Sequence, residues 1–332
     1  MNKELQSTIL QATDGDGIDR IEQVQSLWSG YGQLLKCHLK GGRQSSVIVK
    51  YIDTGKSVYQ NDHPKGWQTD RSHQRKLKSY QIEGNWYSQY ALQTNADCKV
   101  PRLVKKIEEQ DKLILILEDL DAIGYPMRKQ EITPQEATIC LRWLAAFHAN
   151  FLQVEAVGLW EKGSYWHLDT RPEEWSVMND IGLKNSASVI DKQLENCTYK
   201  TIIHGDAKVA NFCFKADGSA IAAVDFQYTG RGCGMKDVAY FFSSCLSSET
   251  LTNHAEALLE VYFKYLSASL KKRSLSLDIQ ALITEWKSLY VFAWADFYRF
   301  LDGWSPGHWK IHAYSRMMRD QCVALIQDNL MS

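Results

Sequence analysis

Residues 20–27, 33–39 and 46–52 are β-prone runs, and Lys40-Gly41-Gly42-Arg43 supplies the turn between the last two, which predicts a meander of three antiparallel strands. Residues 54–78 then lose most apolar character, carry many basic and amide side chains and contain the breaker Pro64-Lys65-Gly66. That is the pattern of a surface excursion or mobile loop with a solvated face. Residues 79–92 turn helical in period, and residues 100–104 and 112–117 read as two more strands. The expectation is a five-stranded sheet with one helix inserted after the third strand.

Beyond Glu118 the period changes to that of long amphipathic helices. Residues 133–151 are one, with Thr133 as N-cap and Pro134 at the first helical position, and residues 284–301 are another. A boundary near residues 118–122 divides the chain into a small β-rich lobe, 1–118, and a larger helical lobe, 119–332. This order of elements is α+β, not the βαβ alternation of a dinucleotide-binding fold. No internal repeat or low-complexity tract interrupts it.

Composition agrees with two lobes, because 332 residues at 45% hydrophobic content exceed what one core usually fills. With 38 basic against 39 acidic residues, no net field draws the chain to nucleic acid or an anionic membrane, so a small molecule or a protein is the expected partner. The eight cysteines show no short metal-ligand spacing and read as reduced, mostly buried thiols. Residues 1–10 lack an apolar targeting core and no run approaches a membrane span, so the expected location is the cytoplasm. The oligomeric state is open at this level.

The segment Ile202-Ile203-His204-Gly205-Asp206-Ala207-Lys208-Val209-Ala210-Asn211 carries the chemistry, followed by a hydrophobic strand and Ala223-Val224-Asp225-Phe226-Gln227. Phosphoryl transfer needs a carboxylate to take the proton of the attacking hydroxyl, and an amide oxygen and a second carboxylate for Mg²⁺. Asp206, Asn211 and Asp225 supply those parts in that order. A lone aspartate after a strand is usually a turn or cap residue, so the spacing is the signal. His204 reads as ordering the loop by hydrogen bonding, and His148, on a helix with apolar faces, as a buried structural residue. Asp14-Gly15-Asp16-Gly17 lacks the ligand spacing of a calcium loop and reads as a turn.

These motifs resemble the aminoglycoside phosphotransferase and choline kinase superfamily. Gly205, where protein kinases carry arginine, points to its small-molecule kinases. Val224-Asp225-Phe226-Gln227 and the later Asp237-Val238-Ala239-Tyr240-Phe241-Phe242 resemble its ecdysteroid-kinase-like branch. The resemblance implies a bilobal protein-kinase-like fold and an ATP- and Mg²⁺-dependent kinase acting on a hydroxyl of an amino-alcohol, sugar or sterol-like alcohol. It implies that Lys50, in Val47-Ile48-Val49-Lys50, pairs the ATP phosphates with Glu83 as its helix partner. It also implies that the turn bearing Gly30 and Gly32 covers the phosphates, although an ordinary hairpin turn has the same geometry. The run from Glu118 to Leu120 would read the adenine edge through its backbone, and Asp237 would tie down the catalytic loop. Lys208 departs from the usual small-molecule pattern and could reach the transferred phosphoryl group.

Only twelve positions separate Asp225 from Asp237, too few for the activation loop of a regulated protein kinase. A nucleotide-binding scaffold without turnover, and a protein kinase suggested by Lys208, are the rival readings. For the acceptor, the helix of residues 284–301 offers Phe292 and Asp296, with Trp304 just beyond it, as a wall for a cationic or amphipathic alcohol. Asp296 could equally pair with Arg299 three residues on.

Overall fold

The computed structural model describes residues 3–27, 30–56, 70–273 and 276–331. The chain opens with α1 (Lys3–Thr13), an element the sequence pattern did not announce, and continues into β1 (Gly17–Ser26), β2 (Gly32–Lys40) and β3 (Ser46–Asp53). After α2 (Asp70–Asn85) come β4 (Leu103–Glu109) and β5 (Lys112–Glu118). All five strands form one antiparallel sheet, as the sequence pattern predicts, and the structure sets their order as β1-β2-β3-β5-β4. Strand alternation gives the sheet two apolar faces. Val47 and Val49 of β3, with Ile114 and Ile116 of β5, pack under Leu5 and Ile9 of α1. Ile52, Leu113, Leu115 and Leu117 join the core on the opposite side, and Lys50 shares their parity.

Two boundaries move. Helix α2 begins at Asp70, so residues 70–78, expected in the loop, are helical, and residues 57–69 of that expected loop lie outside the described residues. The run Arg71-Ser72-His73-Gln74-Arg75-Lys76-Leu77-Lys78 has no apolar stripe, but its arginines, glutamine and lysines are good helix formers, so propensity prevailed where periodicity was silent. The helix ends in a wide π-type turn at Trp86–Tyr90. Strand β4 starts at Leu103, after Pro101, because Lys99 is committed elsewhere: its carbonyl accepts from Ala223 N at 3.1 Å and from the Trp143 indole at 2.9 Å.

From Asp119 the chain crosses to the helical part. It forms β6 (Met127–Arg128), α3 (Pro134–Asn150), α4 (Pro172–Ser176), α5 (Ile181–Glu195), β7 (Thr201–Ile203), β8 (Phe212–Phe214), β9 (Ile221–Ala223) and β10 (Gly230–Gly232). Then come α6 (Met235–Cys245), α7 (Ser248–Lys272), α8 (Ile279–Trp304) and α9 (Ala313–Met331). Helix α3 begins as predicted: Glu136 N donates to Thr133 Oγ1 at 3.2 Å while Thr133 N donates back to the Glu136 carboxylate at 2.8 Å, a reciprocal capping box. Two short sheets, β10 with β7 and β6-β8-β9, hold the loops that face the large sheet.

Trp86 links the two parts. It is fully buried, stacks on Phe226 with ring centroids 4.4 Å apart and meets Phe147 and Phe151 of the α3 region at 5.5 and 5.4 Å. One core therefore runs from the cleft side of the sheet through α3 to α7. Trp86→Ala should cost about 3–5 kcal/mol of stability, the usual loss for a deleted buried aromatic, measured as a lower urea midpoint.

Candidate active site

The cleft between sheet and helices holds a cavity of about 790 Å³ lined by Lys50, Glu83, Glu118, Leu120, Asp206, Lys208, Asn211, Asp225 and Trp304 among others. Strand parity aims Lys50 into it, where Nζ lies 2.5 Å from the Glu83 carboxylate on α2 and 3.5 Å from Asp225 Oδ1. Burial by itself would strip the ammonium of its proton, but the two carboxylates outweigh it and hold Lys50 above the usual lysine range.

The loop after β7 is set by Asp237, at the start of α6. Its buried carboxylate accepts from His204 N at 2.6 Å and Gly205 N at 2.9 Å, and lies 3.1 Å from His148 Nε2. His148 Nδ1 in turn meets the Tyr262 hydroxyl at 2.7 Å. Burial would raise the Asp237 carboxyl, but the bond to His148 and the nearby imidazoles hold it below the ordinary aspartate value. Gly205 has φ +78°, and a Cβ there would sit 2.0 Å from the Tyr228 carbonyl oxygen, so no side chain fits. His204 Nε2 donates to Val224 O at 3.0 Å, which fastens the loop to the strand carrying Asp225.

Asp206 is presented by that loop with one oxygen occupied and one open. Oδ2 accepts from Lys208 Nζ at 3.1 Å and Asn211 Nδ2 at 3.2 Å, while Oδ1 is buried without a partner among the described residues. An orphaned carboxylate oxygen is costly to bury, and here it stands where a hydroxyl could donate to it. The Asn211 amide nitrogen also bonds the Asp206 carbonyl at 2.8 Å, so its side-chain oxygen is turned away from that carboxylate. Asp225 follows β9 in a left-handed conformation, φ +69°, with Oδ1 taken by Gln227 Nε2 at 2.6 Å. Burial would raise its pKa, but Lys50, Lys208 and Lys76 draw it down to about 2. A low-pKa carboxylate beside an amide oxygen is a hard, oxygen-only donor set, which fits Mg²⁺ completed by phosphate and water. Among the described residues no group of three or more His, Cys, Asp or Glu side chains is placed to hold a metal.

The structure separates other expected residues from the cavity. Gly30 and Gly32 do not line it: Gly30 N is spent on Leu27 O at 3.2 Å, and Gly32 packs so closely that a Cβ would fall 1.9 Å from Tyr51 O. Val24 of β1, with Leu27 and Tyr31 of the turn, supplies the wall instead, and Ser29 lies outside the described residues. Glu118 cannot offer its amide, because its N donates to Arg102 O at 2.9 Å and its carboxylate meets Lys99 at 2.7 Å. Leu120 N meets no protein acceptor among the described residues, so the backbone donor of that segment moves two residues along.

Asp296 and Phe292 are corrected most. Asp296 is buried in α8, where it pairs with Arg299 Nη2 at 2.8 Å, lies 3.5 Å from Lys236 and accepts from the Trp166 indole at 3.0 Å. Phe292 packs on the helical core, and of that trio only Trp304 reaches the cavity. The helical wheel placed Asp296 opposite the aromatic face, but α8 is covered on both sides, by α6 on one and by α4, α5 and α9 on others. Residues that the sequence pattern passed over take its place: Arg75 and Lys76 of α2, Tyr165, Arg171 and Tyr228. Their only sequence signal was a basic run indistinguishable from a solvated face, and aromatics in a segment without period.

Residues 171–275, about a third of the chain, match the ecdysteroid kinase-like family. The chain superposes on choline kinase from Cryptosporidium parvum Iowa II with a TM-score of 0.56 at 9% identity, covering 99% of this chain and 96% of that one. A microcompartment-associated aminopropanol kinase gives 0.49 at 16% identity, covering 97% and 94%. An aminoglycoside phosphotransferase from Streptomyces rimosus ATCC10970, in complex with ADP and streptomycin, gives 0.46 at 13% identity, covering 87% and 99%. No curated protein matches the sequence. The fold is a bilobal, protein-kinase-like one, shared with that choline kinase.

The buried position of Asp296 yields a direct test. Asp296→Ala leaves Arg299 and Lys236 without their shared anion, so stability should fall by about 3–5 kcal/mol in urea titration. The chain should otherwise bind small molecules in the cleft as before.

Proposed function

We propose that this protein transfers the γ-phosphoryl group of ATP to a hydroxyl of a small organic molecule, with Mg²⁺. The observation that carries the reading is the convergence of Lys50, Asp206, Asn211 and Asp225 on one cavity, with a buried, unpartnered oxygen on Asp206. In the proposed reaction Asp206 Oδ1 orients the acceptor hydroxyl and takes its proton as the new O–P bond forms and the bond to the β-phosphate oxygen breaks, releasing ADP. Mg²⁺, when bound, would neutralise charge on the phosphate oxygens, and Asn211 and Asp225 would hold it.

Lys50, fixed by Glu83, would pair the phosphates. Lys208 is held charged, above the usual lysine range, chiefly by Asp206, so it can offer its ammonium to the transferred group. The adenine would lie against the apolar wall of Leu34, Ile48 and Leu117, with Leu120 N as the backbone donor. Closure of the two lobes would exclude water from the cleft.

Turnover with Mg-ATP and an acceptor panel tests this directly. Asp206→Asn should lower kcat by about 10²- to 10⁴-fold while ATP still binds, the usual worth of a positioned base. Turnover within a few-fold of the parent would remove Asp206 from the role. Lys208→Ala should lower kcat and kcat/KM together, as expected for a contact made chiefly in the transition state. A change confined to acceptor KM would make Lys208 a substrate-binding residue instead.

A further inference from the structure

The walls of the cavity differ in charge from one end to the other. Six carboxylates line it, Glu83, Glu118, Asp119, Asp121, Asp206 and Asp225, and each has a lysine or arginine within 4.0 Å. Each therefore already has a cation against it, and none stands as an unpaired charge for a cationic acceptor. Two lining cations have no carboxylate within ion-pair distance among the described residues, Arg75 and Lys76. Lys76 bonds Gln227 Oε1 at 2.8 Å, and its charge acts on Asp225, so it belongs to the phosphoryl end. Arg75 faces the other way.

Its guanidinium donates to two neutral groups, Thr170 O at 2.8 Å and Ser72 Oγ at 3.3 Å. Thr170 immediately precedes Arg171, and both arginines line the same cavity; burial, and then the charge of Arg171, pull Arg75 down to about 10, against the opposing pull of Glu174 and Glu173. Arg171 is held in the wall by Tyr165 O at 2.7 Å, Glu174 at 3.1 Å and the Phe300 ring, whose centroid is 5.0 Å from Cζ. Its Nη2 meets no acceptor among the described residues. Beside the pair runs an aromatic shelf: Phe300 stacks on Trp304 at 5.6 Å, and Tyr165 meets Phe300 edge-on at 5.5 Å. The Tyr165 hydroxyl donates to the Tyr240 hydroxyl at 3.2 Å, and both line the cavity together with Asp206.

We infer that the acceptor is an anionic hydroxyl compound with an apolar or aromatic body, whose carboxylate or phosphate is read by Arg75 and Arg171 while the body lies on Tyr165, Phe300 and Trp304. The inference rests on the phosphotransferase reading and narrows its substrate class. An unpaired, half-buried guanidinium beside a second one is expensive without an anion, and a planar carboxylate or a phosphate fits such a fork with two parallel hydrogen bonds. An amino-alcohol would bring a third cation to the same place.

Binding is measured by tryptophan fluorescence on the full chain with ADP and Mg²⁺ present, so that the result does not depend on turnover. The probes are benzyl alcohol, its para-carboxylate, its para-phosphate and its para-aminomethyl analogue. Either anionic probe should bind at least tenfold more tightly than the neutral one, and the aminomethyl probe should bind most weakly. Arg75→Met should erase the preference while changing ADP affinity less than twofold, and Arg75→Lys should keep part of it. Equal or better binding of the neutral or aminomethyl probe overturns the inference, as does absence of binding by both anions at millimolar concentration or a preference that survives Arg75→Met. Loss of turnover without loss of the anion preference would count against the kinase reading alone.

Discussion

The buried carboxylate of Asp237 is the constraint on which the cleft depends. It collects two consecutive backbone N–H groups, His204 and Gly205, and the imidazole of His148, at a position fully shielded from bulk solvent. A charge so placed is tolerable only when its acceptor sites are filled, and filling them dictates the path of the loop. Gly205 then has to take a positive φ against the Tyr228 carbonyl, and Asp206 has to emerge toward the cavity. The long helices α3 and α7 contribute by fixing His148 and Tyr262, so the core and the site share one hydrogen-bond network.

Charge around the cavity is arranged by compensation. Lys50 is shared between Glu83 and Asp225, and Asp206 between Lys208 and Asn211, so each buried charge has a partner of opposite sign or a hydrogen-bond donor beside it. Gln227 adds a neutral bridge, donating to Asp225 and accepting from Lys76 and Ser79 of α2. The helix of the small lobe is thereby tied to the strand that bears Asp225. Arg75 stands outside this compensation, which is why it marks the far end of the cavity as a place for an anion.

The same packing explains where charged residues do not serve the cleft. Arg299 is fully buried, yet it serves α8 by holding Asp296 and the Trp166 carbonyl, and Glu285 accepts from the Thr198 and Tyr199 amides. On a wheel these side chains form a mixed polar face of the kind that lines binding sites. In the fold that face is covered by neighbouring segments, and its polar atoms are spent on them.

Local pattern sufficed for much of this protein. Runs of β-branched and aliphatic residues marked β2, β3 and β5, and Thr133 with Pro134 set the start of α3, because these features depend on neighbours a few residues away. The spacing from His204 to Asp225 named the residues that meet in the cleft, since a short loop and strand pair leave little freedom in where they fall. Tertiary structure alone decided the rest. Whether Asp296 met a cavity or a salt bridge, whether Arg75 was solvent-facing or inward, and which backbone N–H near Glu118 stayed free all turn on segments distant in the chain. A residue's chemistry is written in its side chain, but its burial and its partners are set by whichever element packs over it.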